Sequence, residues 1–292
     1  MLASVTVFLI RNLMAALMLS VGLQTPLRDL RATWSQRALI WRALIVLFVA
    51  VPLLALVTIE VLPLGDLAAT FVVIMAVCPG APMVFRTFRD RRLVVTLIAV
   101  VGVVAPLVAW AWITTLVHVL PIPLRVTART LEYAALKQLL PLCVGVAVAS
   151  TLPRVAKPLA RIAWYIFAVG FVVAIVVALV KGGGAMFTSG GWWLVAVLMM
   201  AAGSIAVGHW AGRPDRENSR LLATLAVLGN PALAVAVIGS NDPGFRPGAL
   251  FFAYLLARAL CLLPYALWSK RWAQRPRITR GHAPKSRPAP AH

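Results

Sequence analysis

Apolar segments long enough to cross a membrane follow one another along most of this chain. Of its 292 residues, 62% are hydrophobic and only 12% are charged, whereas a soluble domain carries about 25% charged residues. The core of a soluble protein could not bury so much apolar surface, so lipid must solvate much of it. We therefore predict an all-α polytopic membrane protein with about nine transmembrane helices. The predicted spans are residues 4–25, 38–62, 66–88, 92–117, 129–152, 158–181, 191–211, 217–239 and 247–270.

Basic residues are concentrated in alternate connections between these spans. Twenty Lys and Arg residues lie on one predicted side and four on the other. Positive charge marks the cytoplasmic side, so we expect a multi-pass protein of a bacterial-type inner membrane with its N-terminus outside and its C-terminus in the cytoplasm. The net charge of +20 then reflects topology and contact with anionic lipid headgroups. The expected partners include the lipid bilayer but no nucleic acid.

Two of the predicted spans are interrupted by Gly and Pro at matching places in the two halves of the chain. The third contains Cys-Pro-Gly-Ala-Pro at residues 78–82, and the eighth contains Gly-Asn-Pro at residues 229–231. Proline removes a backbone donor and clashes with the preceding turn. In hydrocarbon the freed carbonyls need cover from protein or a wet cavity. One such break would be an ordinary kink, but a corresponding pair indicates the binding site of a transporter.

Several short motifs resemble those of the bile acid:sodium symporter family, in the same order and with similar spacing. They begin with Ser-Val-Gly-Leu-Gln-Thr-Pro-Leu-Arg-Asp-Leu at residues 20–30 and the break at 78–82, which is similar to the family's Cys-Pro-Gly-Gly motif. The others are residues 139–145, 220–234 and 247–251. The resemblance extends from about residue 8 to residue 272.

This resemblance implies two inverted repeats whose broken helices cross at the middle of the membrane. Residues 1–120 would form the first repeat, with four spans and without the first helix of a five-helix repeat. Residues 121–272 would form the second repeat with five spans, and residues 273–292 a disordered, basic, Pro-rich tail. Spans one, five and six would form a panel subdomain and the other six a core subdomain, with the substrate bound between them.

The chain departs from the family where sodium-coupled members carry polar ligands. Most of the corresponding positions hold apolar residues here: Leu47, Val84, Phe85, Val94, Ile98, Leu225 and Gly229. Of this set only Asn230 is retained. Sodium is a hard cation that prefers oxygen ligands. We therefore expect a divergent member with weakened or absent sodium coupling, no bound metal and no cofactor, and with proton coupling as an alternative.

Two basic residues lie well inside predicted spans. Arg258 is near the middle of the last span and Lys137 is about eight residues into the fifth. A charge at such depth is costly and usually functional. These two cations could face each other across the substrate cleft and attract an anion, and Lys137 could carry a coupled proton. The alternative is that they pair with Glu132 or with backbone carbonyls. Arg11, Arg42 and His209 are closer to span ends.

The predicted function is secondary transport of a small organic anion by alternating access. Asn230 would contact the substrate, while other residues would hold the broken backbone open or attract the anion. Besides Asn230, the predicted binding residues are Gly80, Ala81, Pro82, Pro231, Lys137 and Arg258. Catalytic motifs of hydrolases, metalloproteases and P-loop enzymes are absent from the sequence, so an enzyme is not expected. The alternative function is a membrane sensor or scaffold that keeps the transporter fold without transport.

Overall fold

Helices account for nearly all the residues that the computed structural model describes, namely 2–29, 36–80, 84, 88, 90–116, 127–188, 191–241 and 249–274. The predicted all-α fold class is therefore confirmed. In chain order the helices are α1 (Leu2–Gly22), α2 (Arg37–Val61), α3 (Asp66–Val77), α4 (Arg91–Leu116), α5 (Ala128–Thr151), α6 (Pro153–Thr188), α7 (Trp192–Ala211), α8 (Arg216–Val227), α9 (Pro231–Asn241) and α10 (Ala249–Gln274).

Five of these helices are long and apolar enough to cross a membrane. They are α2, α4, α5, α6 and α7, and they coincide with five of the nine predicted spans. Large apolar side chains such as Trp41, Leu107 and Val169 remain exposed on them. An exposed apolar surface of this extent is unfavourable in water and is expected where lipid covers it. The protein is therefore a multi-pass membrane protein, and the count of nine crossings stays a prediction.

Local sequence signals explain where several helices begin and end. Asp215 caps α8, because its side chain accepts hydrogen bonds of 2.9 Å from the backbone N–H groups of Glu217 and Asn218. Such caps satisfy donors that have no partner within the helix. Asp90 plays the same part for α4 through a 3.1 Å bond from the N–H of Leu93. These caps fix the residues at which α4 and α8 begin.

Two membrane helices contain one turn of π-helix, at Val46–Ala50 in α2 and Ala135–Leu139 in α5. Such turns are rare and are frequent at functional sites. In α2 the carbonyl of Phe48 accepts a 2.7 Å hydrogen bond from the indole of Trp112 on α4. In α5 the π turn carries Lys137 and the buried Gln138. It therefore places polar groups in the interior of an otherwise apolar helix.

The helices pack in two groups. In the first group, α1 lies against both α5 and α6. In the second, α7 packs on α2, α8 and α10, while α8 also contacts α10 and α3 contacts α2. The groups meet where α6 lies along α10 and where the first part of α5 contacts α9. The second interruption of the chain, between α8 and α9, therefore lies beside the boundary between the groups.

Candidate functional site

The two interrupted segments touch each other in the interior. The backbone N–H of Asn230 donates a 2.8 Å hydrogen bond to the carbonyl of Cys78. One residue further back on the second segment, Gly229 pairs with Pro79 as an antiparallel bridge. Carbonyls and N–H groups that a helix would have used are thus satisfied across the crossing, as a low-dielectric interior requires. We call residues 78–80 the first break and residues 228–230 the second break.

Each break contains a glycine that another residue could not easily replace. Gly80 has a φ of +113°, a conformation that L side chains rarely adopt. At Gly229 a Cβ atom would lie 2.6 Å from Cε of Met75 and 2.9 Å from its carbonyl oxygen. A side chain at position 229 would therefore require the first break or Met75 to move. The predicted residues Ala81 and Pro82 lie outside the described residues.

Asn230 stabilises the second break through hydrogen bonds of both polar atoms of its side-chain amide. Its Oδ1 accepts a 3.1 Å hydrogen bond from the N–H of Leu233 and so caps α9, which begins at Pro231. Its Nδ2 donates to Oε1 of Gln138 across 3.2 Å. The residue is only 1% exposed. Asn230 therefore ties the break to α5 as well as stabilising the following helix.

Gln138 is a site residue that the sequence analysis did not identify. It is fully buried, and its amide nitrogen Nε2 has no partner among the described residues. Buried polar groups nearly always have hydrogen bonds, so each exception requires an explanation. The only signal in the sequence was a polar residue next to Lys137 in an apolar span. The π turn makes it significant because it aims Gln138 at the second break.

Arg258 on α10 reaches the same break from the other side. Its guanidinium is buried and lies 3.3 Å from the carbonyl of Ala226, near the end of α8. It also makes a long 3.5 Å contact with the hydroxyl of Tyr254 and lies over that ring. No carboxylate pairs with it in the described part of the chain, and its Nε has no partner there. A desolvated cation without a counterion lowers the stability of the fold, so its presence points to a function.

A cavity of about 90 Å³ lies between the second break, α6 and α10. It is lined at the break by Leu228, Gly229 and Pro231, on α10 by Arg258, and on α6 by Phe171. Asn230 is not among the lining residues. Such a volume corresponds to roughly three water molecules, and among the described residues that line it only Arg258 is charged. The cavity is therefore a small apolar chamber with one cationic wall.

From the sequence, Lys137 and Arg258 could face each other or could pair with Glu132 or backbone carbonyls. The ammonium of Lys137 donates a 3.0 Å hydrogen bond to Oδ1 of Asn12 on α1, which is neither of those alternatives. Arg258, by contrast, contacts a backbone carbonyl, that of Ala226. Lys137 does not line the cavity beside Arg258. The structure places Lys137 within the first helix group and Arg258 at the second break.

Positions that correspond to sodium ligands in the family pattern are buried and apolar. Leu47, Val94, Ile98 and Leu225 are each at most 3% exposed and belong to the main hydrophobic core. Within the described residues, no group of three or more His, Cys, Asp or Glu side chains could hold a metal ion. These four side chains therefore offer no oxygen ligand to a hard cation.

The fold and the paired breaks define a multi-pass membrane protein of the transporter type. A profile of the sodium bile acid symporter family matches residues 12–189, more than half of the chain. The chain therefore belongs to the sodium bile acid symporter family. No curated protein matches it closely enough to be compared. The matched region includes the first break, Lys137 and Gln138, and it ends before the second break and Arg258.

Proposed function

We propose that this protein carries a small organic anion across the membrane by alternating access, and that the anion binds at the second break. The observation that carries the proposal is the buried guanidinium of Arg258, which has no carboxylate partner in the described residues and lines the cavity there. A charge-assisted hydrogen bond to a carboxylate would satisfy the free Nε. The membership in a transporter family and the paired breaks support the same reading.

Gln138 does not line the cavity beside Arg258, but it would supply a second donor to the same substrate once the cavity widened towards Asn230. Its unpartnered Nε2 is held close to the second break by the bond from Asn230 to its Oε1. Two buried donors, one cationic and one neutral, suit a carboxylate with a further acceptor group. The cavity of about 90 Å³ would have to widen for any but the smallest anion. Separation of the two helix groups at their contact between α6 and α10 would provide that widening.

We also propose that sodium coupling is weakened or absent because Arg258 supplies a fixed cation. Its guanidinium contacts a carbonyl near the C-terminus of α8, and such half-helix ends attract cations in transporters. Leu225, which precedes Ala226, is one of the apolar residues that the resemblance places at sodium-ligand positions. A proton would be the alternative coupling ion, with Lys137 as a candidate carrier through its bond with Asn12.

The finer architecture belongs to the same proposal. The group formed by α1, α5 and α6 agrees in membership with the panel inferred from the resemblance, and the other group with the core. The contact between the two breaks agrees with broken helices that cross inside the core. Nine crossings, two inverted repeats, a bacterial-type inner membrane and a cytoplasmic C-terminus complete the proposed arrangement.

The test is uptake of a panel of labelled organic acids into proteoliposomes. Arg258→Leu should lower the initial rate for the transported acid roughly 10- to 100-fold, the range expected for one charge-assisted hydrogen bond. Arg258→Lys should retain part of it. The matched control is Arg271→Ala, which removes an exposed arginine from the same helix and should leave uptake unchanged. Equal uptake by Arg258→Leu and the wild type would refute the assigned site.

A second candidate, a sensor or scaffold without transport, is favoured by one observation. The crossing is tightly closed, with Asn230 1% exposed and only a small cavity beside it. Under this alternative none of the acids would be taken up, while the acid that binds would still raise the thermal stability of the purified protein. Uptake of any acid that depends on Arg258 would exclude it.

A further inference from the structure

A larger pocket, remote from the breaks, opens at the end of the first helix group. Its volume is about 650 Å³, within the range of small-molecule sites. Its walls come from the residues after α1, from the end of α5, from the start of α6 and, through Val95, from the start of α4. Because these are ends of membrane-crossing helices, the pocket lies at the level of the lipid headgroups. We call it the end pocket.

The polar wall of the end pocket is predominantly cationic. Arg28, Lys157 and Arg161 line it, and Asp29 is the only acidic residue in the described part of the lining. The Asp29 carboxylate is 3.5 Å from the guanidinium of Arg92 and 3.9 Å from that of Arg28. Its charge is thus matched by Arg92, which is not part of the lining. The pocket as a whole therefore favours an anion.

Two neighbouring cations on α6 could share one anionic ligand. Lys157 and Arg161 are four residues apart, so they are neighbours on one face of the helix, and both are exposed. Like charges at this spacing repel each other. Between them and α1, the floor consists of small buried side chains, Ala156 and Ala160. Small residues leave room for a bulky head group under the two cations.

The outer face of α6 indicates where the rest of the ligand would lie. Val155, Leu159 and Ile162 alternate with the pocket-lining residues and are all exposed. They form an apolar surface directly beside the cationic wall. A ligand with a phosphate group and long acyl chains matches this juxtaposition, whereas a soluble phosphate ester would leave the apolar face unused.

We propose that the end pocket binds the headgroup phosphate of an anionic phospholipid, with its acyl chains along the outer face of α6. The phosphate would accept hydrogen bonds from Lys157 and Arg161 and would be close to Arg28. Through the Asp29–Arg92 pair, the site is continuous with the start of α4. The lipid would thus connect α1 and α6 to a helix outside their group.

Native mass spectrometry of the full-length protein titrated with phosphatidylglycerol or phosphatidylcholine tests this proposal. The wild type should retain phosphatidylglycerol in preference. Lys157→Ala/Arg161→Ala should bind it roughly 30-fold more weakly, as expected for two interfacial cations. The matched control Lys270→Ala/Arg271→Ala removes one exposed Lys and one exposed Arg outside the pocket, and it should bind as the wild type does.

Three results would overturn the proposal. Equal losses in the two double variants would mean diffuse attraction to a basic surface, and equal retention in all proteins would mean that the pocket does not bind the lipid. Binding of glycerol phosphate in competition with the lipid would assign the pocket to a soluble anion instead. The exchange Lys157→Arg/Arg161→Lys keeps both charges and should retain phosphatidylglycerol, which separates loss of charge from loss of folding.

Discussion

At the first break the chain turns through backbone geometry, whereas the second break is held by polar side chains. The described part of the first break consists of Cys78, Pro79 and Gly80, and Gly80 alone adopts a positive φ. The second break is fixed by Asn230, which is bound in turn by Gln138. Arg258 contacts the helix that leads into it. Within the described residues, polar side chains therefore converge on the second break, where we propose that the substrate binds.

The largest expected effect concerns the close approach of the two breaks. Gly229→Ala should lower the free energy of unfolding by about 1–3 kcal/mol, because the new Cβ would overlap the carbonyl of Met75. Gly80→Ala should cost about 1–3 kcal/mol for a different reason, its φ of +113°. Thermal inactivation of the purified protein in detergent would measure both.

A glycine in open surroundings provides the control for these two variants. At Gly102, inside α4, a Cβ would meet no atom within 4 Å. Gly102→Ala should therefore stabilise the protein by about 0.5–1 kcal/mol. A loss of stability at Gly102 as large as at Gly229 would show that the packing at the crossing is not special.

Variants of Asn230 test the polar contacts that distinguish the second break from the first. Asn230→Ala removes the cap of α9 and leaves Oε1 of Gln138 without its donor, so stability should fall by about 1–3 kcal/mol. Asn230→Ser keeps an oxygen for the cap and should recover part of that loss. The same thermal assay applies, and equal losses for Ala and Ser would contradict a capping role.

Gln138 should affect transport more than stability. Gln138→Leu should reduce anion uptake up to about tenfold, the value of one neutral hydrogen bond. Gln138→Glu should reduce it further, since a carboxylate would repel the anion. Uptake into proteoliposomes is the measurement, with Gln24→Leu as control because Gln24, which follows α1, donates hydrogen bonds to Ser20 and none to either break in the described residues. Faster uptake by Gln138→Glu would favour a cationic substrate.

Of the polar residues whose effect on uptake is predicted, Lys137 should have the smallest effect. Its ammonium is bonded to Asn12 within the first helix group and does not line the cavity. Lys137→Gln should therefore lower uptake less than Arg258→Leu does. A loss as large as that of Arg258→Leu would place Lys137 on the transport route and would revive the proposal of proton coupling.

The sequence alone allowed the membrane environment, the helical fold class and the family to be predicted. These depend on patterns that extend over many residues, namely apolar spans and motifs in a fixed order. The positions of the two breaks were also predicted, because Pro and Gly interrupt helices by local sterics. Their contact through Asn230 and Cys78 agrees with that prediction.

The partners of individual polar residues could not be predicted. Gln138, which accepts a hydrogen bond from Asn230, and Lys137, which donates one to Asn12, both lie in the π turn of α5. No sequence pattern signals where such a turn falls. The contact of Arg258 with Ala226 depends on how α10 packs on α8, which is a tertiary property. The end pocket likewise exists only where four separate segments meet.

The most direct test of a fixed cation at the second break is the sodium dependence of uptake by the wild type. Initial rates of the transported acid would be compared in sodium and choline media, with the membrane potential clamped by potassium and valinomycin. If Arg258 takes the place of the coupling ion, the rates should be equal in the two media. Uptake that requires an inward sodium gradient would contradict this, and would mean that backbone carbonyls bind sodium despite the apolar residues around them.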